Sequence, residues 1–376
     1  MGVGDEWRSF ICSLLVCVCI FCPRSSAGSF ADCKPLSPAL LQRAERAARK
    51  YAPAVWLAPD EKFFPSSALD FLDHTKYASQ RGKNGKHFKL PSGAKSRNMF
   101  LEPKEPLANL LANSSSFLYG HNPEFFSVPV YAVVSSCCSN VKADQVEESP
   151  FEITFWLFFP FSQGKEICTI SAGALGPVPF PWLRKSCLGK VKRYGSHLGD
   201  WEHVTLSFPA SGSRPLAMYV STHEAGALYL APMLQTGRVW DFKGYEVRKG
   251  IKIGAPRFPK SAFHLDSGRP VLFAANGSHG LWTQPGRHKY VSFPALEDMT
   301  GYGTMWRTWQ GLQMMSWPPK EDDPEWLQFE GHWGGEKQDC HPLSEKVCTH
   351  TDGPRGIPTK THSFRCLAQG ITLKSS

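Results

Sequence analysis

Apolar residues recur at helical spacing only near the start of the chain. Leu40, Leu41, Ala44, Ala47, Ala48 and Tyr51 mark one face of a helix. Ser37-Pro38 opens it with a cap residue followed by Pro at the first helical position, and Ala52-Pro53 closes it. Beyond this helix the pattern changes. Short β-branched and aromatic runs follow, each bounded by Gly, Pro, Asn or Ser: Val128–Val134, Phe151–Phe159, His203–Phe208, Leu216–Ser221, Ala227–Leu234 and Pro270–Ala275. Runs of this length and composition predict strands, and their number predicts an all-β protein, an antiparallel sandwich with one N-terminal helix and long loops. Phe151–Phe161 reads FEITFWLFFPF, without alternation, and is expected to be a buried central strand. The aromatic and Met-rich stretch Met305–Trp317 is expected to be core.

Composition sharpens this. Hydrophobic residues make up 42% of the 376-residue chain, which excludes a disordered chain, and Gly (32) and Pro (30) are frequent enough to favour many short elements. An apolar run from Phe10 to Cys22, preceded by Arg8 and followed by Ser25-x-Ala27, reads as a signal peptide over residues 1–27. Residues 28–376 then form one domain, with a Cys- and His-containing tail at 340–366. Of the 12 cysteines, four belong to the leader. The rest, Cys33, Cys137, Cys138, Cys168, Cys187, Cys340, Cys348 and Cys366, are an even set in a secreted chain and are expected to form disulfides. Cys340 is expected to pair within the tail, with Cys348 or Cys366, and Cys137 or Cys138 to reach Cys168 or Cys187. A zinc site built on the tail with His341, His350 and His362 is the weaker alternative, because no CxxC pair is present. Asn113 and Asn276 stand in glycosylation sequons, the second inside a turn-like Ala-Asn-Gly-Ser sequence.

The net charge is +9, and the leader carries none of it on balance. Arg81, Lys83, Lys86 and Lys89 share a basic loop, and Arg184, Lys185, Lys190, Lys192 and Arg193 crowd before the densest polar cluster. Such a basic rim on a secreted protein attracts anionic lipids or polyanions. Nucleic acid is not expected, because no binding module accompanies the charge.

That cluster is Gly195-Ser196-His197-Leu198-Gly199-Asp200-Trp201-Glu202-His203. On an extended chain Asp200 and Glu202 share a face, about 7 Å apart, and repel unless protonated or bridged by a cation. His197, in the turn before the strand, can fold back toward them. A His, Asp and Glu set suits a divalent ion with mixed ligands, calcium or magnesium in preference to zinc. His223 and His279 sit in small-residue turns at the ends of predicted strands and are further candidate ligands. No nucleophile elbow, Walker loop, HExxH or dinucleotide fingerprint is present. If the site were hydrolytic, Glu202 or His203 would move the proton for a cation-bound water.

Two resemblances follow from these residues. Tyr51-Ala52-Pro53 and Leu57-Ala58-Pro59-Asp60-Glu61-Lys62-Phe63-Phe64-Pro65-Ser66-Ser67, then Phe158–Phe161, His197–His203, Ser221-Thr222-His223, Ala274–His279, Phe329–Gly334 and Gly353-Pro354-Arg355-Gly356 occur in the order of the vacuolar protein sorting-associated protein 62 family. The chain resembles that family over about residues 45–358. The family's name implies a role in vacuolar protein sorting and no defined chemistry. More distantly, Ser196–Glu202 resembles the heptapeptide of the necrosis- and ethylene-inducing peptide-like proteins, secreted β-sandwich cytolysins with a divalent cation at that motif. The resemblance implies that His197, Asp200 and Glu202 are metal ligands. Ser196 and Gly199 depart from the pattern, and the upstream acidic ligand has no counterpart between Glu166 and Asp200. The leading expectation is a non-enzymatic binding protein, secreted or in a lysosome- or vacuole-like lumen, in which a cation organises a site for anionic head groups or glycans. A metal-dependent hydrolase and a luminal sorting protein are the alternatives.

Overall fold

The computed structural model describes residues 36–77, 90–137, 149–183, 186–232, 239–248, 256–291, 295–342, 344–360 and 366. The expected helix is Pro38–Tyr51, with the Ser37 side chain accepting the Leu40 N–H, and Leu40, Ala44, Ala47, Ala48 and Tyr51 are buried. An eight-stranded sheet runs in the order Ser261–Phe263, Val239–Val247, Ala225–Leu230, Ala217–Thr222, His197–Phe208, Phe151–Ser162, Val130–Ser136, Leu312–Trp317. A four-stranded sheet runs Leu281–Trp282, Val271–Ala274, Ala54–Leu57, Met305–Arg307. The helix and both sheets share one core, with Leu40, Val55, Phe155, Leu206, Leu272 and Trp282 in it.

The other face of the large sheet carries a second core, where Tyr131, Trp156, Phe158 and Trp201 pack against Phe71, Trp326 and Trp333. Covering on both faces explains why Phe151–Ser162 is apolar without alternation. The Met305–Trp317 stretch supplies Trp306 to the first core and Met315 to the second. The all-β expectation therefore holds, with one addition. Ala54–Leu57 pairs with Val271–Ala274, and Val130–Ser136 with Leu312–Trp317, in parallel. Parallel neighbours need long crossovers, which local patterning does not reveal.

A three-stranded arm, Lys165–Ser171 with Pro177–Pro179 and Lys190–Tyr194, projects from the end of the Phe151–Ser162 strand. Cys168 and Cys187 join within this arm, so neither reaches Cys137 as the sequence suggested. Cys137 follows the Val130–Ser136 strand at the opposite end of the sheet and pairs with Cys366. Cys340 pairs with Cys348 across the hairpin Gln338–His341 and Ser344–His350, which leaves the tail without thiolates for zinc. The leader, Cys33, Cys138, Arg81, Lys83, Lys86, Lys89, Arg184 and Lys185 lie outside the described residues. Among the described residues no helix is long and apolar enough to cross a membrane.

Candidate ligand-binding site

The polar heptapeptide forms the first half of a strand, His197–Phe208, paired along its length with Phe151–Ser162, so Asp200 and Glu202 are extended as expected and His197 belongs to the strand and not to the turn before it. A regular strand would put His197 and Asp200 on opposite faces, because they differ by an odd number of residues. Gly199 removes that constraint. Its φ is +58°, and a Cβ there would lie 2.1 Å from the Trp333 carbonyl oxygen. The left-handed glycine turns the chain, and His197, Asp200 and Glu202 all line one cavity of about 890 Å3. Trp201 points the other way, packed edge-on against Trp333 with centroids 5.1 Å apart, and anchors the strand in the second core.

The turn Ala275–Gly280 locks this strand to its surroundings. Gly277 donates its N–H to Glu61 Oε2 at 2.8 Å, and its carbonyl accepts the Gln163 N–H at 2.6 Å. Glu61 also accepts the Lys62 and Phe63 N–H groups, each at 2.9 Å. His279, fully buried and with φ +56°, donates from Nδ1 to Asp200 Oδ2 at 3.0 Å and from Nε2 to the Phe63 carbonyl at 3.1 Å, while its ring stacks on Phe159 at 3.9 Å. Two donating nitrogens make it an imidazolium. Burial works against that charge, but the bonds and charges of Asp200 and Glu61 outweigh it and lift the pKa to about 9.

A second network lies beside the first. Asp298 is completely buried and accepts from Lys165 Nζ (2.7 Å), His223 Nε2 (2.7 Å), Trp282 Nε1 (2.8 Å) and Ser278 Oγ (2.8 Å). Burial opposes its ionisation, yet His223 and Lys165 hold the carboxyl far below the usual range. His223 is therefore tied to Asp298, though its ring also lines the cavity. Both ring nitrogens of His279 are engaged, one of them by Asp200, and His223 Nε2 is held by Asp298. Ser278, the hydroxyl residue of the Asn276 sequon, is buried in the same network, whereas Asn113 is exposed.

Asp200 and Glu202 differ sharply. Burial raises Asp200, but the His279 bond, with help from His197 and Lys360, brings it below its ordinary value. Glu202 is pushed well above its ordinary value by burial and then by Asp200, and Lys360, Arg248 and His279 only partly offset this. Among the described residues nothing donates a hydrogen bond to the Glu202 carboxyl. His197 Nδ1 donates to the Gly199 carbonyl at 2.8 Å, and the residue lines the cavity. Two carboxylates, the oxygen ligands that a hard divalent ion takes, thus line the cavity together with one imidazole.

Lys360 was not legible as a site residue. It follows the 3-10 turn Ile357–Thr359, and its Nζ donates to the Trp201 carbonyl at 2.8 Å, beside both carboxyls. Burial lowers its pKa, and Glu202 and Asp200 pull the other way. Glu61, Lys165 and Asp298 were also missed as participants. His203 is buried against Trp156, at 4.3 Å between centroids, and is not part of the cavity wall. Among the described residues, the group whose ligand atoms already lie within 4.8 Å of one another is Cys137, Glu152 and Cys366, where the sulfurs form a disulfide. Of the basic rim, Lys190, Lys192 and Arg193 are exposed on the arm, and Arg193 pairs with Glu166.

Fold and site together define a disulfide-stapled all-β protein with a charged cavity at a strand end. The chain has homologues among yeast proteins named for vacuolar sorting. It is 23% identical over 349 residues to the putative vacuolar protein sorting-associated protein TDA6 of Saccharomyces cerevisiae, covering 81% of this chain and 64% of the relative. It is 25% identical over 221 residues to vacuolar protein sorting-associated protein 62 of the same organism, covering 54% and 39%. The chain thus spans less than two thirds of the length of either relative. These relatives bear out the resemblance read from the ordered motifs. No family model matches. A solved structure titled "Toxin fold for microbial attack and plant defense" aligns over 77% of this chain and 82% of its own, at 11% identity and a TM-score of 0.25, too loose a superposition to build on.

Proposed function

We propose that the chain is a luminal or secreted binding protein whose cavity holds calcium or magnesium between Asp200, Glu202 and His197 and thereby engages an anionic head group or a glycan. The observation that carries this reading is the Glu202 carboxyl, buried beside an ionised Asp200, lining a cavity and without a hydrogen-bond donor among the described residues. A buried carboxyl in that state is costly until a proton or a cation neutralises it. A cation would replace the proton, with His197 fixed through Nδ1 as third donor and His279 orienting Asp200 from behind. The yeast relatives' names associate them with vacuolar protein sorting. Carried to this chain, that favours a vacuole- or lysosome-like lumen reached by the secretory route. The hydrolase alternative keeps only Glu202 as proton carrier, because His203 lies outside the cavity wall.

Thermal melting in saturating calcium or magnesium tests the reading. The wild type gains about 3–6 °C, and Asp200→Ala and Glu202→Gln gain nothing. A wild type that melts at the same temperature with and without both ions overturns it.

A further inference from the structure

We propose that the three-stranded arm docks the protein on a lipid surface that carries anionic head groups. The arm holds an unusual share of the exposed large apolar side chains. Ile170, Leu175, Trp182, Leu183, Leu188 and Val191 are between 38% and 67% exposed, all within one short stretch of chain. Strand pairing sorts them. Ile167 and Thr169 line the cavity, and Lys192 and Lys190 sit opposite them on the same face. Val191 pairs with Cys168, and Ile170 with Val178, on the other face. One face thus belongs to the cavity and Ile170 and Val191 stand on the other, while Leu175, Trp182, Leu183 and Leu188 are exposed in the turns between the strands.

Charge selects the partner. From Ile167 to Gly199 the sequence has no Asp or Glu and five Lys or Arg. Arg193 is neutralised by Glu166, and Lys190 and Lys192 remain exposed with no acidic partner among the described residues. Lys190 and Lys192 flank Val191 on the edge strand Lys190–Tyr194, and from that edge their long stems can carry the ammonium groups round to head groups while the apolar tips enter the interface. A Trp on the same arm suits that depth. The other exposed aromatic pair, Phe125 and Phe126, lacks this setting and stands next to exposed Glu124. The Cys168–Cys187 disulfide and the Lys165–Asp298 ion pair hold the arm before contact, so little ordering is needed on docking. Docked this way, the arm brings the cavity that it helps to wall close to the lipid surface. The inference rests on the membrane-engaging part of the proposed function, and not on the cation.

Flotation with vesicles of phosphatidylcholine and phosphatidylserine in about a two-to-one ratio, in low salt with chelator present, tests it. The wild type is expected to float with these vesicles, to be released by high salt and to ignore pure phosphatidylcholine. Leu188→Glu, Trp182→Ala with Leu183→Ala, and Lys190→Glu with Lys192→Glu should each weaken binding about tenfold or more while keeping the wild-type melting temperature and calcium response. Leu188 is the most exposed of the six, so Leu188→Glu decides the matter if a double variant melts early. No wild-type flotation, or variants within about twofold of wild type, overturns the proposal. Flotation that needs calcium and survives the arm variants would move membrane contact to the cavity and also overturns it. Flotation retained in a protein without a calcium response would remove the cation reading and leave the arm standing.

Discussion

A histidine whose two ring nitrogens both donate inside the protein, as His279 does to Asp200 and the Phe63 carbonyl, ties folding to its own proton. Its folded pKa, about 9, lies above the ordinary histidine value of about 6.5. The stability it contributes is therefore fully present below about pH 6.5 and is lost as pH rises through about 9. Melting curves from pH 7 to 10 should show the wild type losing more than His279→Gln over that interval, and equal losses would refute the imidazolium. Asp298 has the opposite sign. Its pKa is depressed, so its contribution is present at neutral pH and is lost as pH falls below the ordinary carboxylate range. Asp298→Asn keeps the shape but leaves Lys165 nearly buried without a counter-charge. Urea denaturation at pH 7 should register a loss of about 3–5 kcal/mol. Part of this chemistry was readable: the H-x-x-D-x-E spacing named His197, Asp200 and Glu202 as one site. Glu61, Asp298 and Lys360 were not, because a single charged residue far along the chain looks like surface until the fold delivers it.

At the scale of elements, the heptapeptide strand depends on a glycine. Gly199→Ala forces a Cβ into the Trp333 carbonyl at a left-handed φ, and should cost at least about 2 kcal/mol in urea denaturation. Gly195 also has a left-handed φ, +78°, but a Cβ there meets nothing within 4 Å. Gly195→Ala should cost only about 1 kcal/mol, and equal losses would show that the close approach to Trp333 is unimportant. The cross-links follow the same logic of position. Cys137–Cys366 closes a sequence separation of 229 and Cys340–Cys348 one of 8. Chain entropy alone gives about 5 and about 2.5 kcal/mol, so Cys137→Ser with Cys366→Ser should lower the melting temperature further than Cys340→Ser with Cys348→Ser. The strands themselves were legible as apolar runs. For the heptapeptide half of His197–Phe208 the extended run of Asp200 and Glu202 was legible but the inclusion of His197 in the strand was not, because its polar residues face a cavity rather than a core.

In the whole molecule, segments far apart in sequence meet at one cavity, namely the heptapeptide strand, the Ala275–Gly280 turn, the Leu296–Thr300 strand and the tail through Lys360, with the Asp60–Phe63 region bracing the turn from behind. Glu61, His223 and His279 lie inside the motif blocks quoted from the sequence. Which residues bond across the cavity depended on the parallel crossovers and on the tail's return, and neither is encoded in local spacing. Lys360 makes the central claim sharp, because its ammonium already sits beside both carboxyls and competes with any ion for that place. An anomalous difference map from crystals soaked in manganese, standing in for calcium or magnesium, addresses this directly. The account predicts an ion within about 2.0–2.5 Å of carboxylate oxygens from Asp200 and Glu202 and of His197 Nε2, with Lys360 displaced. A map with no anomalous peak there, and with Lys360 held between the two acids, would contradict it.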